Sequence, residues 1–224
     1  MLAELFAPEM LSMMGVELLA TLYMTLVSTL LAYVLGLPMG LLLVVTDNDG
    51  ICPHPLFNRI LGGIINILRS VPFLILIVVA MPATRAIVGK IIGNTAMIVP
   101  LVIAAAPFVA RMVESSAKEV DRGVIEASLS MGASPWQIVW RVLVPEALPS
   151  LLVGAAIATT TILGYSAMAG ILGGGGLGKV AINYGYYRGE RGIMWIAVIL
   201  LVVIVQIFQE IGNWISRKGD KRIR

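Results

Sequence analysis

Five stretches of the chain stay apolar long enough to cross a bilayer, whose hydrocarbon core takes about 20 residues of helix. Residues 18–46, 91–110, 147–178 and 192–209 carry no charge, and residues 60–81 carry only Arg69. The first is long enough to tilt or to extend beyond the membrane, and the glycine-rich end of 147–178 is expected to leave the helix. Between the third and fourth stretches lies the one long polar segment, residues 111–146, where helical periodicity resumes. There Asp121 is placed to cap a helix over 122–131, with Val124, Ile125 and Leu129 on one face and Gly132 as its terminating glycine. Ser134, Pro135 and Gln137 then form a capping box with proline at the first helical position. That second helix carries Trp136, Val139, Trp140 and Leu143, and Pro145 and Pro149 punctuate the start of the fourth span. The pattern predicts an all-α integral membrane protein of five transmembrane helices with one polar hairpin.

Composition agrees. Hydrophobic residues make up 58% of the 224 positions and charged residues 13%, whereas soluble domains carry about a quarter charged. The net charge of +3 gives no reason to expect a nucleic-acid partner; membrane lipid is the expected surroundings. A single cysteine (Cys52) and a single histidine (His54) leave no disulfide framework and no histidine metal site, so neither a metal nor a catalytic set is assigned. The first 19 residues bring acids and no basic run, unlike a cleaved secretory signal. Basic residues matter by position. With the C-terminus inside, the inner segments hold Arg59, Arg111, Lys118, Arg122, Arg141, Arg217, Lys218, Lys221, Arg222 and Arg224. The outer segments hold Arg85, Lys90, Lys179, Arg188 and Arg191, so the balance is ten against five. The positive-inside rule therefore puts the N-terminus out and residues 111–146 in the cytoplasm.

On local features alone that segment also fits an amphipathic hairpin resting on the membrane surface. The order of its residues favours another reading. Glu126-Ala127-Ser128, three residues, Gly132, nine residues, Val142, one residue and Val144-Pro145 resemble the EAA loop of ATP-binding-cassette importer permeases. The departures are Ser128 for alanine, Val142 for isoleucine and Val144 for leucine. NILRSVPF (66–73), VPLVIAAAPFVARMVE (99–114), GYSAMAG (164–170) and GLGKVAINYGYY (176–187) are similar to methionine-importer permeases, and the likeness covers about residues 16–212. The resemblance implies a type I importer permease fold, one permease domain over 1–224, in a bacterial inner membrane. It implies import of methionine, D- and L-forms both, or of another amino acid or small solute, with a stand-alone carrier as the remaining alternative. The partners implied are a second copy of the chain, two ATP-binding subunits holding ATP-Mg, and an external substrate-binding protein; no cofactor is implied on this chain. Contact with the ATPase would fall to Glu126, Ala127, Ser128, Gly132, Ala133, Ser134 and Pro135.

Other features have competing readings. Residues 173–179 nearly spell a phosphate-binding loop, but Val180 stands where a magnesium-holding Ser or Thr is required; a glycine turn at the external end of span four is the better reading. Arg69 either snorkels, bonds carbonyls freed by a break at Pro72, or meets a substrate carboxylate. Tyr165, Ser166 and Met168 either pack between helices or face the translocation pathway. Gly36 and Gly40 have small-xxx-small spacing around Pro38 and indicate a helix contact only weakly. Neither Glu17 nor Glu210 is placed at mid-span, so no titratable acid is offered for proton coupling. Paired repeats of a secondary carrier are not visible either.

Overall fold

Each predicted span is built as helix, although the ends and one interior differ. The computed structural model describes residues 8–219, with side chains through 216; the basic residues Lys221, Arg222 and Arg224 lie outside the described residues. In order come α1 (Pro8–Val45), α2 (Pro55–Ser70), α3 (Phe73–Val88), α4 (Asn94–Lys118), α5 (Arg122–Ser130), α6 (Pro135–Ile138), α7 (Val144–Ala169), α8 (Leu177–Val180) and α9 (Arg191–Gly219). No strand occurs among the described residues. Among the described residues four runs are long and apolar enough to cross a membrane, and α2 with α3, bent by 111° at their break, makes a fifth if the pair is counted as one span.

The break answers the expectation for residues 60–81. Pro72 has no N–H and disfavours helix at Val71, so α2 stops at Ser70, and α3 starts afresh with the Ile75 and Leu76 amides bonded to the Pro72 carbonyl. Elsewhere helices overrun the apolar stretches. Because α1 begins at Pro8, Glu17 lies inside the helix rather than at its end. Past residue 110, α4 continues for two turns, carried by Arg111, Glu114 and Lys118 at spacings that pair along a helix. The prolines before span four do not interrupt it. A π-turn over Val139–Leu143, closed by the Val144 amide on the Val139 carbonyl, shifts the hydrogen-bond register just ahead of Pro145, and α7 runs on through Pro149.

The chain forms two compact units. Of the described residues, one takes 8–31, 71–104 and 159–209. Its core is Met14, Leu163, Leu177, Val180, Ile193, Ala197 and Ile204, and the Phe73 and Tyr165 rings stack 4.6 Å apart. The other takes 32–70, 105–158 and 210–219 of the described residues, with Leu43, Ile65 and Ala110 buried together. Here the glycine pair proves a close crossing of α1 and α4. A Cβ on Gly36 would sit 2.7 Å from Val109 Cβ, and one on Gly40 would sit 2.5 Å from the Ala110 carbonyl oxygen. Pro38 lies inside α1 without preventing this approach.

Candidate functional site

The hairpin α5–α6 is specified by three local devices. Asp121 caps α5 by accepting the Gly123 N–H at 2.6 Å. At the other end Gly132 takes φ +79, its N–H bonds Leu129 O and the Ala133 N–H bonds Ser128 O, the paired bonds of a glycine-terminated helix. Nothing lies within 4 Å of a Cβ placed there, so glycine is required by backbone conformation rather than by space. The Ser134 N–H then bonds Gln137 Oε1 at 2.9 Å while the Gln137 N–H bonds Ser134 Oγ at 3.4 Å, completing the capping box around Pro135.

These turns decide which residues face out. Glu126 and Ala127 are exposed, whereas Ser128 is buried and spends its hydroxyl on the Val124 carbonyl at 2.8 Å. Serine is thus tolerated at that position because its extra oxygen is satisfied inside α5. Gly132, Ser134 and Pro135 are exposed and Ala133 half-buried. Around them Met131 is 80% exposed and Trp136 70%, with Trp136 edge-on to Trp140 at 5.5 Å. Large apolar side chains left in the open beside a polar helix mark a surface for a protein or membrane partner. Ile138, Val139 and Leu143 point inward and anchor the hairpin.

Behind the hairpin runs a chain of charges that counting basic residues had missed. Arg111 donates to Glu114 at 2.6 Å, to the Gly62 carbonyl at 3.0 Å and to Asn66 Oδ1 at 2.8 Å. Lys118 bridges Glu114 and Asp47, each at 2.9 Å. The Lys118 hydrogen bond, with the Asn48 N–H, holds the Asp47 carboxyl below its ordinary range despite partial burial. Arg122 reaches Asp49 at 3.4 Å, but both are well exposed and the pair contributes little. A cavity of about 540 Å³ opens between this chain and α5, lined by Asp47, Asp49, Lys118, Arg122, Glu126 and Leu129 among others.

The glycine run 173–178 makes a turn whose amides are already used. The Gly174 N–H bonds the Ala169 carbonyl, Gly175 bonds Asn94 Oδ1, Gly176 bonds the Glu17 carboxylate, and Leu177 bonds Thr21 Oγ1. Lys179 pairs with Glu17 at 3.5 Å. A phosphate would need those donors and would meet a carboxylate instead, so this is not a nucleotide loop.

The remaining candidates are dispersed. Ser166 is buried, donating to the Leu163 carbonyl at 2.8 Å and lying 3.4 Å from Thr25 Oγ1. Tyr165 is half-buried on Phe73, and Met168 is exposed. Arg69 is exposed on the last turn of α2, just ahead of the break, where a cation complements the helix C-terminus.

Such helices, with a polar hairpin between α4 and α7, make this an all-helical integral membrane protein with a surface open to a partner. Residues 32–221 match the family described as binding-protein-dependent transport system inner membrane component, and the chain belongs to that family. It is a multi-pass inner-membrane permease subunit of an ATP-binding-cassette importer and not an enzyme. The chain is 50% identical over 202 residues to the probable D-methionine transport system permease protein MetI of Vibrio cholerae, covering 90% of each. It is 43% identical over 181 residues to the methionine import system permease protein MetP of Bacillus subtilis, covering 81% of this chain and 82% of that one. A solved chain of the MetNI methionine ABC transporter, described as inward facing, superposes with a TM-score of 0.95 at 45% identity. The match covers 96% of this chain and 100% of the solved one.

Proposed function

We propose that this chain carries methionine inward as one of two identical permease subunits, driven by two separate ATP-binding subunits that hold ATP-Mg. An external binding protein delivers the amino acid. All of residues 1–224 act as a single permease domain, with a transport core of about 16–212 and residues 111–146 as the coupling segment. The N-terminus lies outside and the C-terminus in the cytoplasm, on the basic-residue balance. The observation that carries this reading is the hairpin itself, capped at both turns and open to solvent at Glu126 and Ala127. Together with Ser128, Gly132, Ala133, Ser134 and Pro135, these residues form the face on which an ATPase seats. Closure of the nucleotide subunits moves the hairpin as a rigid body, and because α6 passes through the π-turn into α7 without a break, the push enters a membrane helix directly. The pathway then alternates between inward and outward access.

Methionine is supported by the names of the relatives, and the D-form by those called D-methionine permeases. Tyr165 and Met168 offer an aromatic and a thioether surface for the pathway, with Ser166 packed behind them. Arg69, exposed at the broken span, offers the cation for a carboxylate. Competition for binding-protein-dependent uptake across a panel of amino acids tests the substrate. D- and L-methionine should compete and unrelated amino acids should not; failure of methionine to compete rejects the substrate and leaves the mechanism standing. Gly132→Trp and Glu126→Arg should leave the chain in the membrane and abolish ATP-driven uptake, and normal transport by either rejects the hairpin's role.

A further inference from the structure

We infer that Glu114 is a positioning residue for coupling, clamping α4 to α2 and to the loop after α1 where the hairpin begins. The inference rests on the reading of the hairpin as the ATPase's point of contact.

The hairpin hangs between two helices. Toward the C-terminus it continues into α7. Toward the N-terminus it is joined to α4 only through residues 119–121, a short non-helical connection that would absorb a push by bending unless the end of α4 were fixed. Glu114 supplies the fixing. One carboxylate oxygen takes Arg111 and the other takes Lys118, and its side chain is only 12% exposed. Arg111 carries the tie to Gly62 and Asn66 on α2, and Lys118 carries it to Asp47. The carboxylate thus stands between two cations 7 residues apart on one helix face, and it shares the Lys118 ammonium with Asp47. Without its charge, Arg111 and Lys118 repel each other across α4 and each keeps only its outer partner. Arg111 Nε is already buried without an acceptor, so the guanidinium has no spare contact to take up. The Arg111–Glu114 part of this chain is partly buried and resists rearrangement in a way that exposed surface pairs do not, while the Lys118–Asp47 link is more open.

The consequence is a division of labour. Docking depends on the hairpin's outer face, and transmission depends on the clamp behind it. Glu114→Gln is nearly isosteric; it removes the charge and leaves one acceptor oxygen where Arg111 and Lys118 now use two. In the assembled transporter reconstituted with its ATPase subunits and binding protein, E114Q should co-purify the ATPase and hydrolyse ATP within about twofold of wild type. Substrate moved per ATP should fall roughly tenfold, within the range of coupling energies such networks carry. Asp47→Asn breaks the outer link of the same chain and should show a smaller loss of the same ratio. Unchanged transport per ATP in E114Q overturns the inference, as does a parallel fall of ATP hydrolysis and transport, the mark of a docking or folding defect. If E114Q fails to accumulate, D47N decides, because Asp47 sits in a half-exposed loop outside the helices; an unchanged ratio there is equally fatal. Gly132→Trp run alongside separates the two ideas, since it should lose the ATPase itself. Normal transport by that control would reject the hairpin reading whatever E114Q does.

Discussion

Two glycines, Gly132 and Gly178, are required for opposite reasons, and their alanine variants should fail differently. Gly132 has a left-handed backbone in open space, so a methyl there meets nothing and costs only the conformational penalty of about 1–2 kcal/mol. Gly178 has no such φ, but its Cβ would fall 2.2 Å from the Ala167 carbonyl oxygen, and that neighbour is backbone. Either α7 or α8 has to shift, at a cost of about 1–3 kcal/mol or more. Gly178→Ala should therefore lower the melting temperature of the purified complex by several degrees with reduced yield. Gly132→Ala, whose strain is confined to the hairpin turn, should lower the melting temperature less and slow ATP-driven uptake by relaxing the angle between α5 and α6. Equal melting temperatures for the two variants would contradict this distinction. The glycine run 173–178 looked like one feature in the sequence. Its members serve separately, Gly176 by its φ of +95 and Gly178 by close approach.

At the scale of the element, the hairpin was legible because each of its instructions is local. Asp121, Gly132, Ser134, Pro135 and Gln137 act on backbone groups two to five residues away, and all of those bonds form. Ser134→Ala removes one half of the capping box and should cost about 1 kcal/mol of local stability. It should register as faster amide hydrogen exchange over 136–143 with little change in α9, and uniform exchange along the chain would contradict a local cap. Less was legible where the partner is distant. Arg111, Glu114 and Lys118 have the spacing of a helical ion-pair series, which signals a longer α4, but nothing local names Asp47, Asn66 or Gly62 as their outer contacts. Gly36 and Gly40 likewise announce a close crossing without naming α4. Pro145 misled for another reason. The rule that proline ends a helix assumes an unbroken i to i−4 register, and the π-turn at Val139–Leu143 removes that assumption.

For the molecule as a whole, Glu17 gives the sharpest test of what drives it. A proton-driven carrier needs a carboxyl free to load and release a proton along the pathway. Glu17 is the acid inside α1 that invites this role, since the helix begins at Pro8 and not at residue 18. Its carboxylate is instead committed to the Gly176 N–H and to Lys179, and a Gly175 Cβ would stand only 3.0 Å from it. It is packed as a cap for the glycine turn. On the proposed reading, energy enters instead through the hairpin and the ATPase seated on it. In vesicles containing the full transporter, uptake should stop when internal ATP is removed and should continue when a protonophore collapses the pH gradient. Glu17→Gln keeps a hydrogen-bond acceptor for Gly176 but gives up the Lys179 pair, so it should weaken the turn and lower the melting temperature. Transport per ATP by the surviving protein should match wild type and stay insensitive to the protonophore. Protonophore-sensitive uptake that E17Q abolishes would instead make Glu17 a proton carrier and overturn the ATP-driven mechanism at its root.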